Sequence, residues 1–149
     1  MTSATETSVT KELAPLLGSS YLLDLKTQNY HWNVTGPMFT TLHTLFEQQY
    51  IELATAIDEI AERIRSLGSP APGSLTEFAA ISTVKEETGH PNAEQMIRNL
   101  VEDQKSLAKV ASRVIKAAEA AGDEASADLA IRRTEVHEKN AWMLHSHLE

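Results

Sequence analysis

Apolar side chains recur every three or four residues along four long stretches of this chain, the spacing that gathers them on one face of an α-helix. From about Lys11, the residues Leu13, Leu16, Leu17, Tyr21, Leu25 and Tyr30 hold that spacing as far as Asn33 or Val34, and Thr35, Gly36 and Pro37 end the run. Pro15 fits only the opening turns of a helix, so this first helix either starts near Ala14 or bends there. The second runs from about Phe39 to Leu67, with Phe39, Leu42, Phe46, Leu53, Ile57, Ile60, Ile64 and Leu67 inward. Gly68 supplies its left-handed stop. After a tight linker to Gly73, Ser74 to Glu77 has the form of a capping box and predicts a helix of about two turns through Phe78 and Ala80. A polar loop over 82–91 leads to Asn92, the cap of a third long helix with Met96, Leu100, Val101, Leu107, Val110, Val114 and Ile115 inward. Gly122 ends it, and a fourth helix from about Asp123 to Leu148 carries Leu129, Ile131, Ala141, Trp142 and Leu144. No stretch reads as a strand. The pattern predicts an all-α fold, a four-helix bundle whose crossover between helices two and three holds a short extra helix. Residues 1–9 are polar and read as a flexible tail, and 10–149 as one bundle domain.

Composition changes this picture little. A chain of 149 residues, 42% hydrophobic and 23% charged, suits one domain with a sizeable core. The absence of cysteine excludes disulfides, thiolate metal sites and thiol nucleophiles, so any metal ligand must be His, Asp or Glu. The amino-terminal segment has neither a basic region nor an apolar run, and no stretch approaches a membrane span, which points to a cytoplasmic protein, free or at the nucleoid. A net charge of −8 favours cations over phosphate backbones. No nucleophile elbow, Walker loop or dinucleotide fingerprint is present, which leaves hydrolase and nucleotide-fold readings without support.

The candidate chemistry lies between His31 and Glu62. On a helix turning about 100° per residue, His43, Glu47, Asp58 and Glu62 fall at about 0°, 40°, 60° and 100°, on one face. About 22 Å of rise separates His43 from Asp58, more than one metal can bridge. The pairs 43 with 62 and 47 with 58 share a midpoint between Glu52 and Leu53, so a second copy of this helix laid antiparallel about that point sets each half opposite the other. A two-fold interface makes that exchange automatically. His31, at the end of helix one, lies across a short turn from His43, and antiparallel packing brings the two imidazoles together. Imidazoles with carboxylates suit Fe(II), Mn or Zn, of which iron is the redox-active choice. The plainer reading is a solvated acidic face with a capping histidine. Against it, apolar residues alternate with these acids, and only Arg63 and Arg65, beyond the last of them, stand near enough in sequence to neutralise them.

Other groups carry less. Glu87 to His90 has the Glu-x-x-His form of intrasubunit di-iron bundles, but Gly89 and Pro91 put it in a loop, where the two side chains share no face. His137, His145 and His147 read as surface residues, Trp142 as core or interface, and Trp32 as packing beside His31. Asp123, Glu124 and Asp128 complement the dipole at the start of helix four; around a three-fold axis the same acids would line a cation entry path.

The block His31-Trp32-Asn33-Val34, followed by His43, Glu47 and Asp58-x-x-x-Glu62, resembles the Dps family, the mini-ferritins of the ferritin-like superfamily, and the resemblance runs from about Leu17 to the C-terminus. It implies a ferritin-like bundle assembled from two-fold dimers into a hollow dodecamer. It also implies intersubunit centres with two metal positions, where Fe(II) is oxidised to Fe(III), preferentially by hydrogen peroxide, and the ferric mineral is stored; zinc or manganese would be substitutes for iron. By the same resemblance His31 and His43 come from one subunit and Asp58 and Glu62 from its partner, Glu47 serves a second metal position, Trp32 is the tryptophan beside the centre, and Asp128, less firmly Asp123 and Glu124, line a pore. The chain departs from the family name in its first residues, where Lys11 stands with Glu6 and Glu12 and no basic cluster exists to neutralise phosphates. Weak or no DNA binding is expected. The competing readings are a nucleoid-packing protein with a vestigial iron site and a structural helical dimer without metal.

Overall fold

The computed structural model describes residues 7–149, so most of the expected tail lies outside the described residues. Five helices follow one another: α1 Ser8–Asn33, α2 Phe39–Ser66, α3 Leu75–Ile81, α4 Ala93–Ala121 and α5 Glu124–His145, with a single 3-10 turn, Ser146–Leu148, after the last. The all-α bundle with a short helix in its crossover is the architecture read from the sequence.

The chain's own capping chemistry sets most of the boundaries. Ser74 accepts from the Glu77 N–H at 3.1 Å and Asn92 from the Gln95 N–H at 2.9 Å. Gly122, at φ 69°, closes α4 in the left-handed conformation. The start of α1 departs from expectation. Thr7 accepts from the Thr10 N–H while the Thr10 hydroxyl accepts from the Thr7 N–H, a reciprocal cap that begins the helix at Ser8. The helix then runs through Pro15, which removes one backbone hydrogen bond from a turn whose Leu13, Leu16 and Leu17 are fully buried.

Helices α1 and α2 pack as one pair and α4 and α5 as another; α1 against α4 joins them, and α3 lies on α1. The seam between α2 and α5 has few close backbone approaches and is bridged instead by arginines. Arg63 reaches Asp123 at 2.8 Å, Arg132 reaches Glu59 at 3.1 Å, and Arg133 forks onto both oxygens of Glu52. Phe39, expected inside, is 41% exposed; on α5 Ile131 is 50% exposed and Trp142 66%, which rules out the core reading of Trp142 and not the interface one. His137, expected on the surface, is buried at 1% exposure, its Nδ1–H donating to Gln104 Oε1 at 2.7 Å. Among the described residues no helix is long and apolar enough to cross a membrane.

Gly18 permits the close approach of α3 to α1. A Cβ there would lie 2.7 Å from Ile81 Cγ1 and 3.2 Å from the Phe78 carbonyl oxygen. Gly18→Ala is therefore expected to lower stability by about 1 to 3 kcal/mol through overpacking, despite alanine's better helix propensity, and urea titration of the two proteins measures it.

Candidate metal centre

His31 stands in the last turn of α1 and His43 in the second turn of α2, and the short connection through Gly36, at φ 103°, folds one helix back on the other. The imidazoles stack with centroids 3.8 Å apart and planes 14° apart. Each is locked by the other's backbone: His31 Nδ1 lies 2.7 Å from the His43 carbonyl oxygen, and His43 Nδ1 lies 2.7 Å from the His31 carbonyl oxygen. A carbonyl oxygen can only accept, so both Nδ1 atoms carry protons, and Nε2 is left as the coordinating nitrogen of each ring. An Nδ1–H held on a backbone carbonyl is the usual support of a metal-binding histidine.

Glu47, one turn after His43, places Oε2 at 3.9 Å from His31 Nε2. That gap is long for a hydrogen bond but within the roughly 4 Å that two ligands about 2.1 Å from a shared cation can span. The donor set of two imidazole nitrogens and a carboxylate fits a first-row divalent ion. Trp32 follows His31 but points outward at 60% exposure, beside the 86–90 loop.

Asp58 and Glu62 lie far along the same face of α2, exposed to solvent. The arginines on α5 leave them alone. Arg133 takes Glu52, Arg132 takes Glu59, Arg63 turns to Asp123, and Arg65 donates to the Ser69 carbonyl. Neutralisation thus comes from α5, and from different residues than sequence proximity suggests. It spares Asp58 and Glu62, which make no ion pair among the described residues. Nor do three His, Asp or Glu side chains of one chain, among the described residues, gather to hold a metal. The structure stacks His31 on His43 and leaves Glu47 Oε2 3.9 Å from His31 Nε2, short of a three-ligand site within one chain, and keeps Asp58 and Glu62 apart from them.

Asp123, Glu124 and Asp128 share a shallow depression at the α4–α5 corner. Burial alone would raise the Asp123 pKa, but hydrogen bonds from Ser126 and the charge of Arg63 outweigh it and hold the carboxyl below its usual range. Its oxygens are occupied as the α5 cap, so of the three it is the least available to a passing cation. Asp128 is exposed and pairs with Arg132 at 3.1 Å. The Glu87 to His90 segment is a loop, and Glu87 accepts from the Tyr30 hydroxyl at 2.6 Å, an anchor for the end of α1. Sequence reasoning missed that anchor and the Phe39–His43 contact, in which the ring centroids lie 4.9 Å apart.

Known proteins share this fold. The ferritin-like domain family matches residues 10–149. DNA protection during starvation protein 2 of Bacillus anthracis is 37% identical over 127 residues, covering 85% of this chain and 87% of that one. The crystal structure of Dps from Staphylococcus aureus superposes with a TM-score of 0.92 at 38% identity, covering 95% of each chain. The Dps protein from Vibrio cholerae, described as a member of a broad superfamily of ferritin-like diiron-carboxylate proteins, gives 0.90 at 30% identity, with 95% of this chain and 89% of that one covered. With the family match spanning nearly the whole chain and relatives above 30% identity covering most of it, this chain belongs to the Dps family of the ferritin-like superfamily.

Proposed function

We propose that this chain is a ferroxidase subunit whose iron centre forms only between two copies. Membership of the Dps family makes iron storage or protection of DNA in starvation the functional class, and a diiron-carboxylate superfamily implies iron as the metal handled. The observation that carries the finer reading is the reciprocal lock of His31 and His43, which prepares two Nε2 ligands at one end of α2 while Asp58 and Glu62 stand unpaired at the other. Between them the same face carries the exposed side chains of Ile51, Ala54 and Thr55, small or apolar, as a helix meeting its own copy requires. Antiparallel pairing about the point between Glu52 and Leu53 sets the partner's Glu62 against His43 and the partner's Asp58 against Glu47.

Two Fe(II) ions at such a centre surrender one electron each to a hydrogen peroxide molecule, which takes up two protons and leaves as two waters. Pairwise oxidation releases no hydroxyl radical. The chain supplies position and charge: carboxylates interact more strongly with Fe(III) than with Fe(II) and so favour the oxidised ion. Glu47 serves the second iron position, Trp32 flanks the centre, and Asp128 with Glu124 guides cations toward the interior of a dodecameric shell that stores the ferric product. Anaerobic loading with Fe(II) followed by peroxide tests this. Two Fe(II) should be consumed per peroxide, in particles of about twelve subunits by light scattering; a monomer that oxidises iron at full rate would refute the reading.

The family name raises DNA binding as a second role. Phosphate neutralisation needs several cations, and the first twelve residues carry only Lys11. No mobility shift of duplex DNA is expected near 150 mM salt.

A further inference from the structure

The stacked imidazoles are the middle of a longer column of rings. Phe39, the first residue of α2, lies over the outer face of His43 with centroids 4.9 Å apart and planes 21° apart. His31 covers the other face of His43. Tyr50 meets His31 edge-on at 5.3 Å and 69°. Helical spacing alone would place Phe39 in the core, yet it is 41% exposed and its ring is spent on an imidazole.

Resting on the metal-centre reading, we propose that Phe39 is a positioning residue for His43, holding its Nε2 toward the divalent cation, with Tyr50 bracing His31 from the other end. The χ2 torsion of histidine is broad and roughly two-fold, so an uncovered imidazole readily turns over. Turning His43 takes its Nδ1–H off the His31 carbonyl and points carbon, in place of nitrogen, at the ion. A ring covered on both faces at contact distance has no clearance to turn. Phe39 supplies the face that His31 does not.

The test compares full-length wild type, Phe39→Leu and Phe39→Tyr. In 15N-histidine-labelled protein without metal, the slowly exchanging Nδ1–H of His43 should persist in wild type and Phe39→Tyr and vanish in Phe39→Leu. Calorimetric affinity for Zn²⁺ should fall tenfold or more in Phe39→Leu and return in Phe39→Tyr, as for loss and rescue of a residue orienting a ligand. A Phe39→Leu protein that keeps both the ring N–H and wild-type affinity overturns the proposal. So does one whose losses tyrosine fails to restore, or that accompany a collapse of the melting temperature, because the contact would then be general packing. If wild type takes up no Zn²⁺, the affinity comparison runs with anaerobic Fe(II), and a wild type that binds neither ion refutes the metal centre; the ring N–H comparison, which needs no metal, still decides the role of Phe39.

Discussion

Subunits carrying His31→Ala and His43→Ala, coexpressed with subunits carrying Asp58→Ala and Glu62→Ala, are expected to recover about a quarter of wild-type Fe(II) oxidation, although each variant alone falls by at least about a hundredfold. Removing a residue that only orients a ligand costs roughly 10- to 100-fold in metal affinity or activity, so removing two ligands should cost more. The recovery follows from symmetry. Random pairing makes about half the dimers mixed, and each mixed dimer holds one site with every ligand intact and one that keeps only Glu47. A centre built inside one chain gives no recovery at any mixing ratio, because each chain then lacks part of its own site. The separation of the His31–His43 pair, at the α1–α2 turn, from Asp58 and Glu62 further along α2 requires the first outcome, and mixtures as inactive as their parents would overturn the shared centre.

The helices were legible because their signals are local. Ser74, Asn92 and Gly122 each announce a boundary by chemistry that acts within four residues, and the structure uses all three. Pro15 left two readings, a start near Ala14 or a bend, and the first fails: Thr7 and Thr10 begin the helix two turns earlier, and the buried leucines around the proline offset the lost hydrogen bond. The shared face of His43, Glu47, Asp58 and Glu62 was legible because a helix turns by a fixed angle, which needs no tertiary knowledge. The pairing of His31 with His43 was readable from the short turn. Their mutual carbonyl lock was not, since it depends on how the two helix ends meet.

Side chains whose surroundings come from another helix were misread. Phe39 keeps core spacing but lies at the very start of α2, half exposed, and finds its partner in His43. Ile131 lies exposed on the outer side of α5. His137 shows the opposite error, and here a signal existed. It falls four residues from both Arg133 and Ala141 and seven from Ala130 and Leu144, all buried, so its position belongs to the inward stripe whatever its polarity.

The buried His137 and the half-buried Asp24 should cancel in the pH dependence of stability, and removing either should expose the other. Burial, with the Arg133 charge beside it, pushes the His137 pKa down from 6.5 to about 3. Below about pH 6.5 the unfolded chain takes a proton that the folded chain refuses, so acidification weakens the fold until about pH 3. Burial pushes Asp24 up from 3.8 to about 6, and its Oδ1 has no hydrogen-bond partner among the described residues. Here the folded chain takes the proton first, so acidification from about pH 6 to about pH 4 strengthens the fold. Each slope is at most about 1.4 kcal/mol per pH unit and the signs are opposite, so the pair contributes little net slope over that window. Asp24→Asn should therefore lose about 2 kcal/mol more than wild type between pH 6 and 4, and His137→Gln should lose about 2 kcal/mol less. Differences from wild type remove the carboxylates common to all three proteins, provided subunit concentration is fixed. Urea titrations at pH 6, 5 and 4 that run parallel for the three would show that neither proton is taken up as the burial of these two groups demands.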